Sequence, residues 1–91
     1  MPFDLERPWR VDRQVALRPE PFGALAYHFG TRRLSFLKSR KLLAVVATLA
    51  DQPTGRDACR SAGVSDAEFP AYTRALETLA DAGMVVERRI S

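Results

Sequence analysis

The side chains of this chain that could do covalent or metal chemistry are few and badly placed for it. His28 and Cys59 are the one histidine and the one cysteine in 91 residues. That leaves no Cys/His pair arguable as nucleophile and base, and no ligand spacing of the kind that holds a metal ion. The 11 Asp and Glu residues sit mostly at expected helix ends and turns, where capping and solvation account for them. No G-x-x-x-x-G-K-[ST] or G-x-G-x-x-G loop is present to cradle a phosphate. An enzyme is therefore not expected, and no cofactor. The chemistry left over is binding. Fourteen Lys and Arg give a net charge of +3 and a pI near 9.6. Arg32, Arg33, Lys38, Arg40 and Lys41 are gathered in one short stretch. Such a cluster suits an acidic partner, or is simply a solvated basic face.

The elements that position these groups begin with Leu25 to Leu37, LAYHFGTRRLSFL. Gly30-Thr31 is a two-residue Gly-X pair of the kind that closes tight hairpins. Counting from it sets Phe29 opposite Arg32, Tyr27 opposite Leu34 and Leu25 opposite Phe36. The large apolar partners share one face, expected to pack on helices, while Ala24, Ala26, His28, Arg33 and Ser35 take the other. A slip of one residue would scatter that set, so the register is well specified. With this turn, Arg32, Leu34 and Phe36 bond back to the preceding strand, and the backbones of Arg33, Ser35 and Leu37 point outward. That vacant edge is the candidate working part.

Ahead of the hairpin, residues 1–14 read as an extended N-terminal arm with Trp9 packing on the core or on a neighbour. Residues 15–91 read as a single domain. Val15 to Arg18 forms a first strand, and Pro19-Glu20-Pro21 is read as a turn because proline cannot continue a central ladder. Beyond the hairpin the apolar period changes from 2 to 3.6. Leu42, Val45, Val46 and Leu49 mark a helix from Ser39 to Ala50. Thr54 with Asp57 opens a second helix that Gly63 closes. Ser65 and Glu68 form a capping box for a third, whose regular part starts nearer Phe69 because of Pro70. That helix buries Phe69, Tyr72, Leu76 and Leu79 and ends at Gly83. Met84 to Val86 adds an extended segment, and Arg88-Arg89 form a loose tail. The fold class is α+β and winged-helix-like: a three-stranded antiparallel meander followed by a three-helix bundle.

Beside the buried stripe of the third helix runs a row of small residues, Ala71, Ala75, Thr78 and Ala82. It either packs tightly on a neighbouring helix or walls a groove beside the open strand in which an added peptide would lie. Between Asp66 and Asp81 the same helix carries four carboxylates against Arg74 alone, a net −3. A recognition helix with that balance repels phosphates. A small winged-helix nucleic-acid binder thus stays as the alternative function, and nucleic acid is not the expected partner. With no run of ~18 apolar residues and no signal-peptide pattern, no membrane partner is expected either. The lone cysteine fits a reducing, cytoplasmic setting.

The run VALRPEPFGALAYHFGTRRLSFL (Val15 to Leu37), together with Leu42-Leu43 and ALETLADAGMV (Ala75 to Val85), resembles the PqqD-like precursor-peptide-binding domains, also called RiPP recognition elements. Within them it is most similar to the mycofactocin biosynthesis chaperones. Where the wider superfamily often opens its first helix with Leu-Asn, this chain has Leu37-Lys38. The resemblance implies a non-catalytic adaptor that captures the leader of a ribosomally made precursor peptide. It would present that peptide's core, ending in Val-Tyr, to a radical SAM maturase. It also implies strand addition between the third strand and the third helix. On that basis the peptide-binding residues are expected to be Arg32, Arg33, Leu34, Ser35, Phe36, Leu37, Ala71, Tyr72, Ala75 and Thr78. A vacant edge can also pair with a second copy, giving a homodimer through the sheet edge.

Overall fold

The computed structural model describes residues 3–88. Among them are five strands and three α-helices: β1 (Trp9–Val11), β2 (Val15–Glu20), β3 (Gly23–His28), β4 (Leu34–Leu37), α1 (Arg40–Thr48), α2 (Gly55–Ser61), α3 (Phe69–Asp81) and β5 (Val85–Glu87). β2, β3 and β4 form the antiparallel meander, and the helices follow it. The expected α+β architecture is present. A separate two-stranded ribbon pairs β1 with β5, joining the N-terminal segment to the end of the domain. Leu5 and Trp9 are buried in the common core, and Phe3 stacks on Trp9 at 4.5 Å. Arg88 is no loose tail: its amide donates to the Pro8 carbonyl, and its guanidinium bonds the carbonyls of Ala50, Gln52 and Pro53. Arg89 lies outside the described residues.

The helix ends follow the caps written in the chain. Ser39 accepts from the Leu42 amide and Thr54 from the Asp57 amide. Ser65 and Glu68 exchange the two bonds of a capping box, after which α3 becomes regular at Phe69 with Pro70 in its first turn. Pro19, expected in a turn, instead lies inside β2 opposite Ala24. The Phe29 amide, donating to the Gln14 carbonyl, sets the alternation, so Pro19 is a non-bonded position on an edge strand and its missing N–H faces outward.

The hairpin keeps its expected register, Tyr27 opposite Leu34 and Leu25 opposite Phe36. Its turn, sidedness and bonding parity differ from expectation. Gly30-Thr31 is not a tight turn. The loop spans Phe29 to Arg32: the His28 amide donates to the Arg33 carbonyl, the Arg32 amide donates to the His28 carbonyl, and Arg32 takes φ 61°. The His28 imidazole accepts from the Gly30 and Thr31 amides through Nδ1, at 3.1 Å each. Enlarging the loop from two residues to four leaves the register unchanged but moves the closing bonded pair from Phe29/Arg32 to His28/Arg33. Every bond along the ladder then shifts by one. Arg33, Ser35 and Leu37 bond to β3, and the backbones of Leu34 and Phe36 point outward.

The inward face is also the opposite one. Ala24, Ala26 and Leu37 are buried at 0–1% exposure and His28 at 7%, whereas Leu34 and Phe36 are 52% and 58% exposed. α1 packs on β3, and small alanines let the helix approach the sheet where Leu25 and Tyr27 could not.

Candidate functional site

The free edge of β4 and the flank of α3 enclose an open groove of about 470 Å³. Leu34, Ser35 and Phe36 form one wall, with Ala71, Arg74, Ala75 and Thr78 on the other. The floor is the core itself, through Leu42 and Leu79, and Lys38 stands at one end. A smaller hollow of about 290 Å³ continues past Ala71 and Ala75 to Ser39 and Tyr72. The small-residue row therefore faces the groove at Ala71, Ala75 and Thr78, and the open space over it is what those short side chains leave.

Two contacts hold the walls at this separation. Ser39 Oγ and Tyr72 OH lie 3.2 Å apart, tying the start of α1 to α3. Next to them Lys41 Nζ donates to Glu68 Oε1 at 3.0 Å and Oε2 at 3.3 Å. The Ser65 backbone amide, and secondly Lys41, hold the Glu68 carboxyl below its ordinary value of 4.5. A carboxylate with a lowered folded-state pKa adds stability that is complete above the unfolded value and is lost as pH falls through the folded one. Glu68→Gln is thus expected to lower the melting temperature most near neutral pH. The gap should close as pH drops below 4.5; melting curves across that range check it, and a gap that is constant with pH counts against the pair.

Of the expected site residues, Leu34, Ser35, Phe36, Ala71, Ala75 and Thr78 line the main groove and Tyr72 the adjoining hollow. Leu37 does not reach it, being fully buried on the helix side of the sheet. Arg32 and Arg33 are exposed beyond the end of β4, outside the lining. Lys38, Leu42, Arg74 and Leu79 are groove residues that the sequence reading did not assign. In the sequence Arg74 is the lone cation of an acidic helix, and Leu42 and Leu79 have the spacing of ordinary core. Neither Lys38 nor Arg74 has an ion-pair partner among the described residues. Lys41, by contrast, is committed to Glu68. The groove thus combines an apolar floor, two unpaired cations and a row of unpaired main-chain groups.

Among the described residues, no such equipment exists around Cys59 or His28. Cys59 is fully buried, and burial pushes its thiol up, against thiolate chemistry. His28 is engaged in the loop.

A family model described as the peptide chaperone MftB family matches residues 8–86, nearly the whole of the described chain. This chain belongs to the peptide chaperone MftB family. Its role is accordingly that of a peptide chaperone, not an enzyme. The chain is similar to the peptide chaperone MftB of Mycobacterium tuberculosis (strain ATCC 25618 / H37Rv), 61% identical over 87 residues that cover 96% of this chain and 80% of the relative. It is 62% identical to the MftB of Mycobacterium ulcerans over 84 residues, covering 92% of this chain and 77% of that one. For the MftB of Mycolicibacterium smegmatis the identity is 54% over 84 residues, with coverage of 92% and 82%. No solved structure gives a significant match. No helix among the described residues of this MftB family member is long and apolar enough to cross a membrane.

Proposed function

We propose that the chain captures the leader segment of a ribosomally made precursor peptide as a fourth strand along β4, and presents it to a radical SAM maturase in mycofactocin biosynthesis. The observation that carries this reading is the placement of the outward N–H and C=O groups of Leu34 and Phe36 on the rim of an apolar groove with a small-residue far wall. A guest strand bonded to Leu34 and Phe36 alternates its side chains. Those opposite Ser35 enter the groove over Ala71 and Ala75, and those opposite Leu34 and Phe36 join the outer face. Lys38 and Arg74 favour carboxylates flanking the inserted residues, and Arg32 and Arg33 add longer-range attraction. Each exposed cation supplies at most ~1 kcal/mol. Binding between about 1 μM and 1 nM requires roughly 8–12 kcal/mol, so strand pairing and buried anchors must provide most of it.

Phe36→Pro tests the mode. Phe36 is a non-bonded partner of Leu25, so proline removes an outward N–H and no bond of the sheet. Affinity for a synthetic leader peptide, measured by fluorescence anisotropy, is expected to fall about tenfold or more relative to Phe36→Val, with circular dichroism unchanged. Equal affinity of the two variants would overturn pairing along β4.

A further inference from the structure

The side of the sheet turned away from the helices is unusually apolar. Phe22, Leu25, Tyr27, Phe29, Leu34 and Phe36 lie together there, and Phe22, Phe29, Leu34 and Phe36 are 48–60% exposed. They form a continuous surface: the Phe22 and Phe36 rings are 6.2 Å apart and those of Tyr27 and Phe29 5.3 Å. Single exposed apolar residues are common, whereas a contiguous cluster marks an interaction site. The groove uses only the β4 edge of this surface and leaves Phe22, Leu25, Tyr27 and Phe29 without a task.

We infer that the outer face of the β2–β3–β4 sheet docks a second protein, one presenting an apolar surface with an acidic margin. Resting on the proposed function, that protein is the enzyme to which the peptide is handed. Charge argues against a second copy as occupant. The margin carries Arg32, exposed and without an ion-pair partner among the described residues, so two such faces would oppose its charge to a like one; Arg18, 79% exposed, is paired there with Glu20. Size argues likewise, since three strands of four to six residues span only roughly 300 Å² at ordinary strand spacing. A stable dimer needs about 800 Å² per partner. Continuity with the groove supplies the missing area: Leu34 and Phe36 belong to both surfaces, and a guest strand on β4 widens the face with its own outward side chains. Docking is therefore transient and strengthened by bound peptide.

The test compares wild type, Phe22→Ser/Phe29→Ser and Arg18→Glu, none of which alters a groove residue. The probes are a synthetic leader peptide and the purified radical SAM maturase, with binding read by biolayer interferometry. Both variants are expected to keep peptide affinity within twofold and lose enzyme affinity about tenfold. Peptide is expected to tighten enzyme binding to the wild type alone. Wild-type binding of the enzyme that neither variant weakens overturns the inference and leaves the proposed function standing. Failure of the wild type to bind the enzyme with peptide present overturns both. A wild-type dimer in light scattering that Phe22→Ser/Phe29→Ser abolishes assigns the face to a second copy and overturns the inference.

Discussion

Ala75→Trp is expected to abolish capture of the leader peptide, weakening it a hundredfold or more, about 2.7 kcal/mol, while the domain keeps its fold. Ala75 stands half-buried in the α3 wall between Ala71 and Thr78, packed on the core on one side and open to the groove on the other. An indole there occupies space that a guest strand needs for its inward side chains, and it covers part of the apolar floor at Leu42 and Leu79. Because that space is open to solvent, the larger side chain forces no rearrangement of the core, unlike overpacking of a closed interior. Isothermal titration with synthetic leader peptide, beside thermal melting of the same samples, separates the two effects. Ala75→Ser serves as the control that should bind as the wild type does. Peptide affinity within threefold of wild type for Ala75→Trp would assign the small-residue row to helix packing alone and move the peptide elsewhere.

The second large effect is on stability and concerns Gly23. Its φ of +151° is already strained for any residue with a Cβ. A Cβ there would also stand 2.1 Å from the Leu37 carbonyl oxygen, 2.8 Å from the Ser39 nitrogen and 2.9 Å from the Ser39 oxygen. All three are main-chain atoms of the junction between β4 and α1, next to Lys38 at the end of the groove, and none can swing aside as a side chain could. Gly23→Ala is expected to cost about 3–5 kcal/mol, a large share of the ~5–15 kcal/mol that holds a domain together. For a chain of this length that is a fall in melting temperature of roughly 12 °C or more. Gly63→Ala is the comparison: its φ of +88° carries strain, but nothing among the described residues lies within 4 Å of the new methyl. It should cost only about 1–2 kcal/mol. Melting temperatures of the two variants within a few degrees of each other would remove the close approach at Gly23 as an anchor of the groove lip.

The candidate groove was half legible. Its α3 wall followed from helical spacing, which puts Ala71, Ala75 and Thr78 on one flank whatever surrounds them. Its floor and end did not follow. Leu42 and Leu79 look like any core residues, and Arg74 looks like a lone cation on an acidic helix, until β4 is laid beside α3. The latch of Ser39 on Tyr72 joins residues 33 positions apart, a separation that no local pattern spans.

Within the hairpin the division is sharper. The alternation of Leu25, Tyr27, Leu34 and Phe36 sets the register by itself, because a slip of one residue would break the pairing of like with like. The caps at Ser39, Thr54 and Ser65 set the helix starts, because a hydroxyl three residues ahead of an amide is a local geometry. Which face of the sheet turns inward was decided only by tertiary packing. The approach of α1 admits Ala24 and Ala26 and excludes the larger set, so the larger apolar residues were left outside. The bonding parity of β4 was decided the same way: the imidazole of His28, buried among its neighbours, satisfies the Gly30 and Thr31 amides and stabilises a four-residue loop over a two-residue one. Alternation defines two faces and two edges; the neighbours that pack against them determine which is hidden and which is left to bind.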